Sequence, residues 1–221
     1  MSARVISVNA GRPVAASWAP PLGMTSISKT PRLGPTRVDE LGVAGDQVAD
    51  TKHHGGVDQA VYAFAREDLD VWSERLGTPL PDGRFGENLT TQGIDVNEAL
   101  IGERWRVGTV ELEVVNVRIP CNVFKGWMGA NGIDNKAWVR RFTHEGRPGP
   151  YLRVRVPGVL EAGDDLTVVQ RPNHDVTVTM MFRAFTTERE LIPALLAARE
   201  VLAPKVLAEV EQYVDRAATT A

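Results

Sequence analysis

Short apolar runs broken by glycine dominate the first two thirds of the chain. ARVISVNAG alternates and stops at Gly11, and QAVYAFA follows a glycine pair. ERWRVGTVELEVVNVRI reads as two strands meeting at Gly108 and Thr109. Strict alternation in the second of these puts Val110, Leu112, Val114, Asn116 and Arg118 on one face. Glu111, Glu113, Val115, Val117 and Ile119 fall on the other. PYLRVRVPG and DDLTVVQ add two more strands, and one clear early helix runs from Arg66 to Leu76. Many short strands at this spacing predict a closed or nearly closed β-barrel over a parallel sheet.

Helical periodicity enters later. IDNKAWVRRFTHEG carries Ile133, Ala137, Val139 or Arg140, and Phe142 near helical spacing and ends in His144 and Gly146, a helix C-terminal signature. After QRPNHD the chain turns rich in Ala, Leu and Glu; Thr187 with Glu190 reads as a capping box, and Pro204 as the start of a further short helix. The expectation is a mainly β fold with an α appendage: a β-barrel domain over 1–172 and a small C-terminal helical domain over 173–221. Leu191, Leu195, Leu196, Leu202, Val206, Leu207 and Val210 form an apolar stripe, for packing on the barrel or for a homodimer. The Pro/Gly/Ser-rich SWAPPLGMTSISKTPRLGPTR reads as a surface loop or extended hairpin.

Composition narrows the function. With 25 Lys+Arg against 28 Asp+Glu in 221 residues, the net charge of -3 argues for neither nucleic acid nor a membrane surface as partner, so an anionic ligand needs a local basic cluster. One cysteine excludes an internal disulfide, and four histidines give no zinc-finger spacing. No run approaches a membrane-spanning length. A cytoplasmic protein is expected.

Four short stretches carry candidate chemistry. In RIPCNVFKGW, Pro120 stops the strand ladder, placing Cys121 at the barrel mouth, and Arg118 and Lys125 favour its thiolate. In TKHHGGVDQAVY, Gly55 and Gly56 let backbone N–H groups approach a ligand, and only one of His53 and His54 can face a site on extended chain. GRFGENL offers Glu87 and Asn88, and GVAGD offers Asp46, each also suited to a plain turn. No P-loop or GxGxxG is present.

In this order, GVAGD, KHHGG, FGENL and RIPC resemble the MOSC family, the domain named for the C-terminal part of molybdenum cofactor sulfurase. The whole chain is most similar to its stand-alone bacterial YiiM-type members, which carry a three-helix tail. The resemblance implies a molybdenum cofactor (molybdopterin), with Cys121 as the metal's thiolate ligand. It implies reduction of small N-hydroxylated compounds, hydroxylaminopurine-like, to amines, with electrons from a separate donor protein. By position, His54 is the proton donor or substrate contact. Gly55, Gly56 and Arg118 are cofactor-binding, Asn88 binds cofactor or substrate, Glu87 either binds the cofactor or orients a neighbour, and Lys52, ahead of Arg118, is the candidate for the cofactor phosphate. Three other readings stay open: a cofactor or persulfide carrier, a metal-free thiol enzyme, and a cysteine that merely packs.

Overall fold

The structure, a computed structural model, describes residues 2–52 and 54–220. His53, the alternative to His54, lies outside them.

The first half of the chain is mostly extended. β1 (Arg4–Ala10) is followed by β2 (Val14–Ala15) and β3 (Met24–Thr25), a short hairpin, then by β4 (Thr30–Pro31), β5 (Thr36–Asp39) and β6 (Gly42–Val43). A 3-10 turn at Val57–Gln59 leads into β7 (Val61–Ala65), α1 (Arg66–Leu76) and β8 (Leu89–Gln92). β9 (Arg104–Val107) and β10 (Val110–Val117) are hairpin partners, as the alternation predicts. Next come α2 (Asn122–Ala130), α3 (Trp138–Glu145), β11 (Pro150–Val156), β12 (Gly158–Leu160) and β13 (Leu166–Gln170). The chain closes with α4 (Val178–Thr186), a 3-10 stretch at Arg189–Ala198 and α5 (Pro204–Thr220).

Eight strands form one mixed sheet in the order β13-β9-β10-β11-β7-β8-β1-β4. Every pair is antiparallel except β7 with β8, whose parallel pairing is allowed by the α1 crossover. Near the ends of this order, β13 meets β1 through an Arg4–Asp165 bridge, with Val5 N–H donating to the Asp164 carbonyl at 3.0 Å and Leu166 N–H to that of Ala3 at 2.8 Å. The architecture is therefore a mixed sheet with helices, where a mainly β barrel with a helical appendage was expected.

Strict alternation fails in β10 for a local reason. The register slips between Val114 and Asn116, a β-bulge, and Val115 and Val117 are buried along with Leu112 and Val114. Glu113 is buried as well, and is matched by Arg104 at 3.2 Å and Arg153 at 3.1 Å.

The helical expectations need three corrections. The helix expected from Ile133 begins only at Trp138, because the Asp134 carboxylate accepts from Lys136 N–H and holds a turn before it. The capping residue of the tail is Thr177, which accepts from Met180 N–H at 3.0 Å, and not Thr187. Arg189–Ala198 is 3-10 with Pro193 inside, where a missing N–H prevents a regular α-helical ladder. Of the predicted apolar stripe, Leu195, Leu202, Val206 and Val210 are buried in one cluster with Phe142, Trp138 and the sheet, Leu191, Leu196 and Leu207 are only partly buried against it, and Ile192, outside the predicted stripe, is buried. No helix among the described residues is long and apolar enough to cross a membrane.

Candidate functional site

β10 ends at Val117, and the chain crosses Arg118, Ile119 and Pro120 to reach Cys121, whose extended backbone (φ -130°, ψ 173°) makes it the N-cap of α2. Sequence periodicity missed α2, since two glycines in GWMGA mask it; the signal available was Phe124 and Met128, four apart and both buried. A thiol at a helix N-terminus faces the positive end of the peptide dipoles. Burial pushes the Cys121 thiol up, but a hydrogen bond from the His54 side chain and the charge of Arg118 outweigh it and bring it down to about 7. The Phe124 amide also favours the thiolate without closing a capping hydrogen bond.

Arg118 is 6% exposed and held on three sides. Its guanidinium donates to the Phe85 carbonyl at 2.8 Å and lies over the Phe124 ring at 3.8 Å and the Tyr62 ring at 5.3 Å. Phe85 is in turn fixed by Glu87, whose carboxylate accepts from Gly83 N–H at 2.6 Å, Phe85 N–H at 2.9 Å and the Thr90 hydroxyl at 3.1 Å. Burial raises the Glu87 carboxyl to about 7 against the pull of these donors. Of the two roles open to Glu87, cofactor contact and orienting a neighbour, the geometry fits the second: it is wholly buried, its oxygens accept from Gly83, Phe85 and Thr90, and it does not line the cavity.

Asn88 lines the cavity, yet its amide is also engaged. It accepts from Tyr62 N–H at 3.1 Å and donates to the Asn9 carbonyl at 3.2 Å and to Asp46 at 2.8 Å. Both N–H donors are thus spent on the protein. Asp46, the last residue of GVAGD, also accepts from Gly11 N–H at 2.7 Å and pairs with Lys29 at 2.5 Å. Lys29 is the cation that sequence reasoning missed, because it sits in the stretch expected to be a surface loop. The expected phosphate partner, Lys52, is exposed, held in an Asp50 turn and outside the cavity lining.

These elements enclose a cavity of about 690 Å³ lined by Cys121, Arg118, His54, Lys29, Asp46 and Asn88. Gly55 and Gly56 complete one side, both at φ 79°, a conformation that explains why this loop carries glycine twice. Tyr62 and Tyr151, ring centroids 5.3 Å apart, form an aromatic side. Of the sequence candidates, Cys121, His54, Gly55, Gly56, Asn88 and Arg118 come together, whereas Lys52 and Glu87 do not.

Comparison with known proteins fits this geometry. The MOSC domain family model matches residues 50–167, the span that contains the glycine pair, Asn88 and Cys121. The uncharacterized protein YflK of Bacillus subtilis (strain 168) is 30% identical over 174 residues, 79% of this chain and 76% of that protein. A protein named Reductase from Gibberella moniliformis is 31% identical over 157 residues, covering 67% of this chain but 26% of that protein. The crystal structure of YiiM from Geobacillus stearothermophilus superposes with a TM-score of 0.76 at 24% identity, covering 95% of this chain and 98% of that one. By its family match and its relatives, the chain belongs to the MOSC domain family.

Proposed function

We propose that the chain is a cytoplasmic reductase that uses the molybdenum cofactor to convert small N-hydroxylated compounds, hydroxylaminopurine-like, to amines. The observation that carries this reading is Cys121, a thiol brought down to about 7 in the wall of a cavity of about 690 Å³. A cavity of that size takes an organic cofactor. A soft thiolate suits a metal that already carries sulfur ligands. Cys121 would hold that metal, and the Gly55–Gly56 backbone would let the organic part approach closely. When bound, the cofactor would supply the two-electron redox centre.

The chain's own residues do the rest. Reduction of R–NHOH to R–NH2 consumes two electrons and two protons and releases water. His54, exposed to solvent and hydrogen-bonded to Cys121, is placed to take a proton from bulk and pass it to the departing oxygen. Arg118 holds the thiolate form, and the Glu87-fixed turn keeps Arg118 in place. The Tyr62 and Tyr151 side offers a flat ring a stacking surface. The electrons come from a separate donor protein, and the substrate is a small molecule, with no nucleic acid or membrane required. The reductase-named relative supports an oxidoreductase. On the same reading the sheet, whose ends meet at Arg4 and Asp165, is the family's barrel over 1–172, and 173–221 is its helical appendage.

The test is molybdenum and pterin content after purification from a host competent in cofactor synthesis, for the native chain and Cys121→Ser. Near-stoichiometric metal that drops sharply in the variant supports the proposal. Neither metal nor pterin in either protein, despite demonstrated supply, overturns it. His54→Ala separates enzyme from carrier, since it should cut turnover and leave cofactor content intact.

A further inference from the structure

The stretch from Gly11 to Val38 is cavity wall on one side only. Pro13, Met24, Ser26, Ile27 and Lys29 line the cavity. The same stretch leaves Val14, Leu22, Met24 and Leu33 exposed to solvent, Leu33 at 97%. Single exposed apolar residues are ordinary, but four on one short stretch beside a cavity mouth mark an interaction surface.

Trp18 gives that surface an anchor. Its ring is half-buried and rests against Trp127 of α2, with centroids 6.0 Å apart. A Cβ at Gly126 would meet that ring at 2.7 Å, so the indole sits where α2 leaves room for it. Trp127 in turn donates to the Arg84 carbonyl at 2.8 Å and has the Arg84 guanidinium over its ring at 5.4 Å. Partly exposed tryptophan and arginine, held in place before a partner arrives, are the residue types that dominate binding energy at protein interfaces.

Charge points to the partner. Between Gly11 and Val38 the chain carries Arg12, Lys29, Arg32 and Arg37 and no carboxylate. Lys29 is spent on Asp46, whereas Arg12 and Arg32 are exposed and enter none of the ion pairs among the described residues. Both flank the loop that brings Asp46 to the cavity. Gln47 N–H donates to the carbonyl of Gly11, beside Arg12, at 2.9 Å, and a Cβ on Gly45 would sit 3.8 Å from the Arg32 guanidinium. A basic, apolar face on a chain of net charge -3 is complementary to an acidic protein.

We infer that the outer side of residues 12–33, anchored by Trp18 and Trp127, is the docking face for an acidic electron-carrier protein. This rests on the proposed function, which needs two electrons for each R–NHOH reduced; the reduced carrier gives them up and is itself oxidised. A face of this size suits the small, transient interfaces of electron-transfer pairs. Because the segment is also cavity wall, a carrier docked on it stops one segment's thickness from the cavity. A lipid surface would meet the same apolar and basic groups but brings no electrons.

The test begins with binding: calorimetry of the full chain without cofactor against oxidised flavodoxin and oxidised ferredoxin, two acidic carriers. At least one should bind, and more weakly as sodium chloride rises. The double variant Arg12→Glu, Arg32→Glu should weaken that binding about tenfold or more, the scale of electrostatic steering. Trp18→Ala should weaken it about tenfold, the scale of an interface anchor. Should Trp18→Ala fail to fold, Leu22→Glu, at an exposed position, is expected to weaken binding in its place. Lys205→Glu, at an exposed position on α5, should leave it unchanged. Binding by neither carrier overturns the inference, as does equal binding by the native chain, the double variant and Leu22→Glu. Binding to phosphatidylglycerol vesicles in place of both carriers assigns the face to lipid and overturns it as well.

Turnover of the molybdenum-loaded chain separates this inference from the reading beneath it. With reduced methyl viologen as donor the double variant should match the native chain; with the bound carrier as donor its kcat/KM for the carrier should fall about tenfold. Carrier binding that is lost in the double variant, from a loaded chain that viologen cannot drive, keeps a docking face for an acidic protein and removes the reductase reading. Turnover with viologen and no binding by either carrier does the reverse.

Discussion

The His54 side chain hydrogen-bonds the Cys121 thiol and joins a glycine-rich loop to the N-terminus of α2. This contact, with the Arg118 charge, offsets the burial that would otherwise push the thiol up, and sets it to about 7 against an ordinary 9.0. Alkylation by iodoacetamide, followed against pH, should therefore show a midpoint of about 7. Because both partners favour the thiolate, His54→Ala and Arg118→Met should each move the midpoint upward. A midpoint in both variants equal to the native one would show that neither acts on the sulfur. The sign extends to stability: a thiol depressed on folding contributes stability that is full above its unfolded value and fades as pH falls through about 7.

Glu87 behaves in the opposite sense. Its carboxyl is raised from 4.5 to about 7 by burial, so the folded chain keeps a proton that the unfolded chain releases. Its contribution is full below 4.5 and is lost as pH rises through about 7. Glu87→Gln removes this slope, and its amide N–H2 cannot accept from both Gly83 and Phe85, a cost of about 1–3 kcal/mol. Urea unfolding at pH 5 and pH 8 checks both parts: the variant should be weaker at pH 5 and should lose less between the two values.

Asn88 ties β7, β1 and Asp46 together with three hydrogen bonds. Asn88→Ala should lower stability by about 1–3 kcal/mol through the buried groups it leaves unpaired. Asn88→Asp should be worse than Asn88→Ala near neutral pH, because it sets a second carboxylate beside Asp46 in a buried place. If chemical denaturation ranks the two the other way, Asp46 is not held by the Asn88 amide.

The strands were legible in the sequence as short apolar or alternating runs bounded by glycine, so β1, β7, β9, β10, β11 and β13 fall where those runs put them, although β7 is buried on both faces and β10 breaks its alternation at the bulge. The site was legible only where chemistry and chain position coincide, as at Cys121 and the glycine pair. Glu87 and Asn88 were visible as polar residues, but sequence does not tell a ligand contact from a hydrogen bond spent on a neighbouring strand. Lys29 was hidden for a related reason: a Pro/Gly/Ser-rich segment looks solvated, yet here Thr30–Pro31 pairs with β1 and carries the lysine inward. α2 was hidden because its glycines are packing choices; a Cβ at Gly126 would meet the Trp18 carbonyl at 2.7 Å.

Gly149 couples the fold to the site through its backbone. Its carbonyl accepts from Arg118 N–H at 3.3 Å, and its own N–H donates to Asn97 at 3.0 Å. It sits at φ 72°, and a Cβ there would meet the Ala63 carbonyl at 2.3 Å, so Gly149→Ala must displace β7 or abandon the conformation. Gly146 has the same φ of 72° but open space around it. Gly146→Ala should therefore cost only the left-handed conformation, about 1–2 kcal/mol. Gly149→Ala should cost more than that in urea unfolding and should also raise the Cys121 alkylation midpoint, because Arg118 hangs from this backbone. Equal losses in the two variants, with the Cys121 midpoint unmoved, would mean that the β7 contact yields easily and that Arg118 is held by its side chain alone.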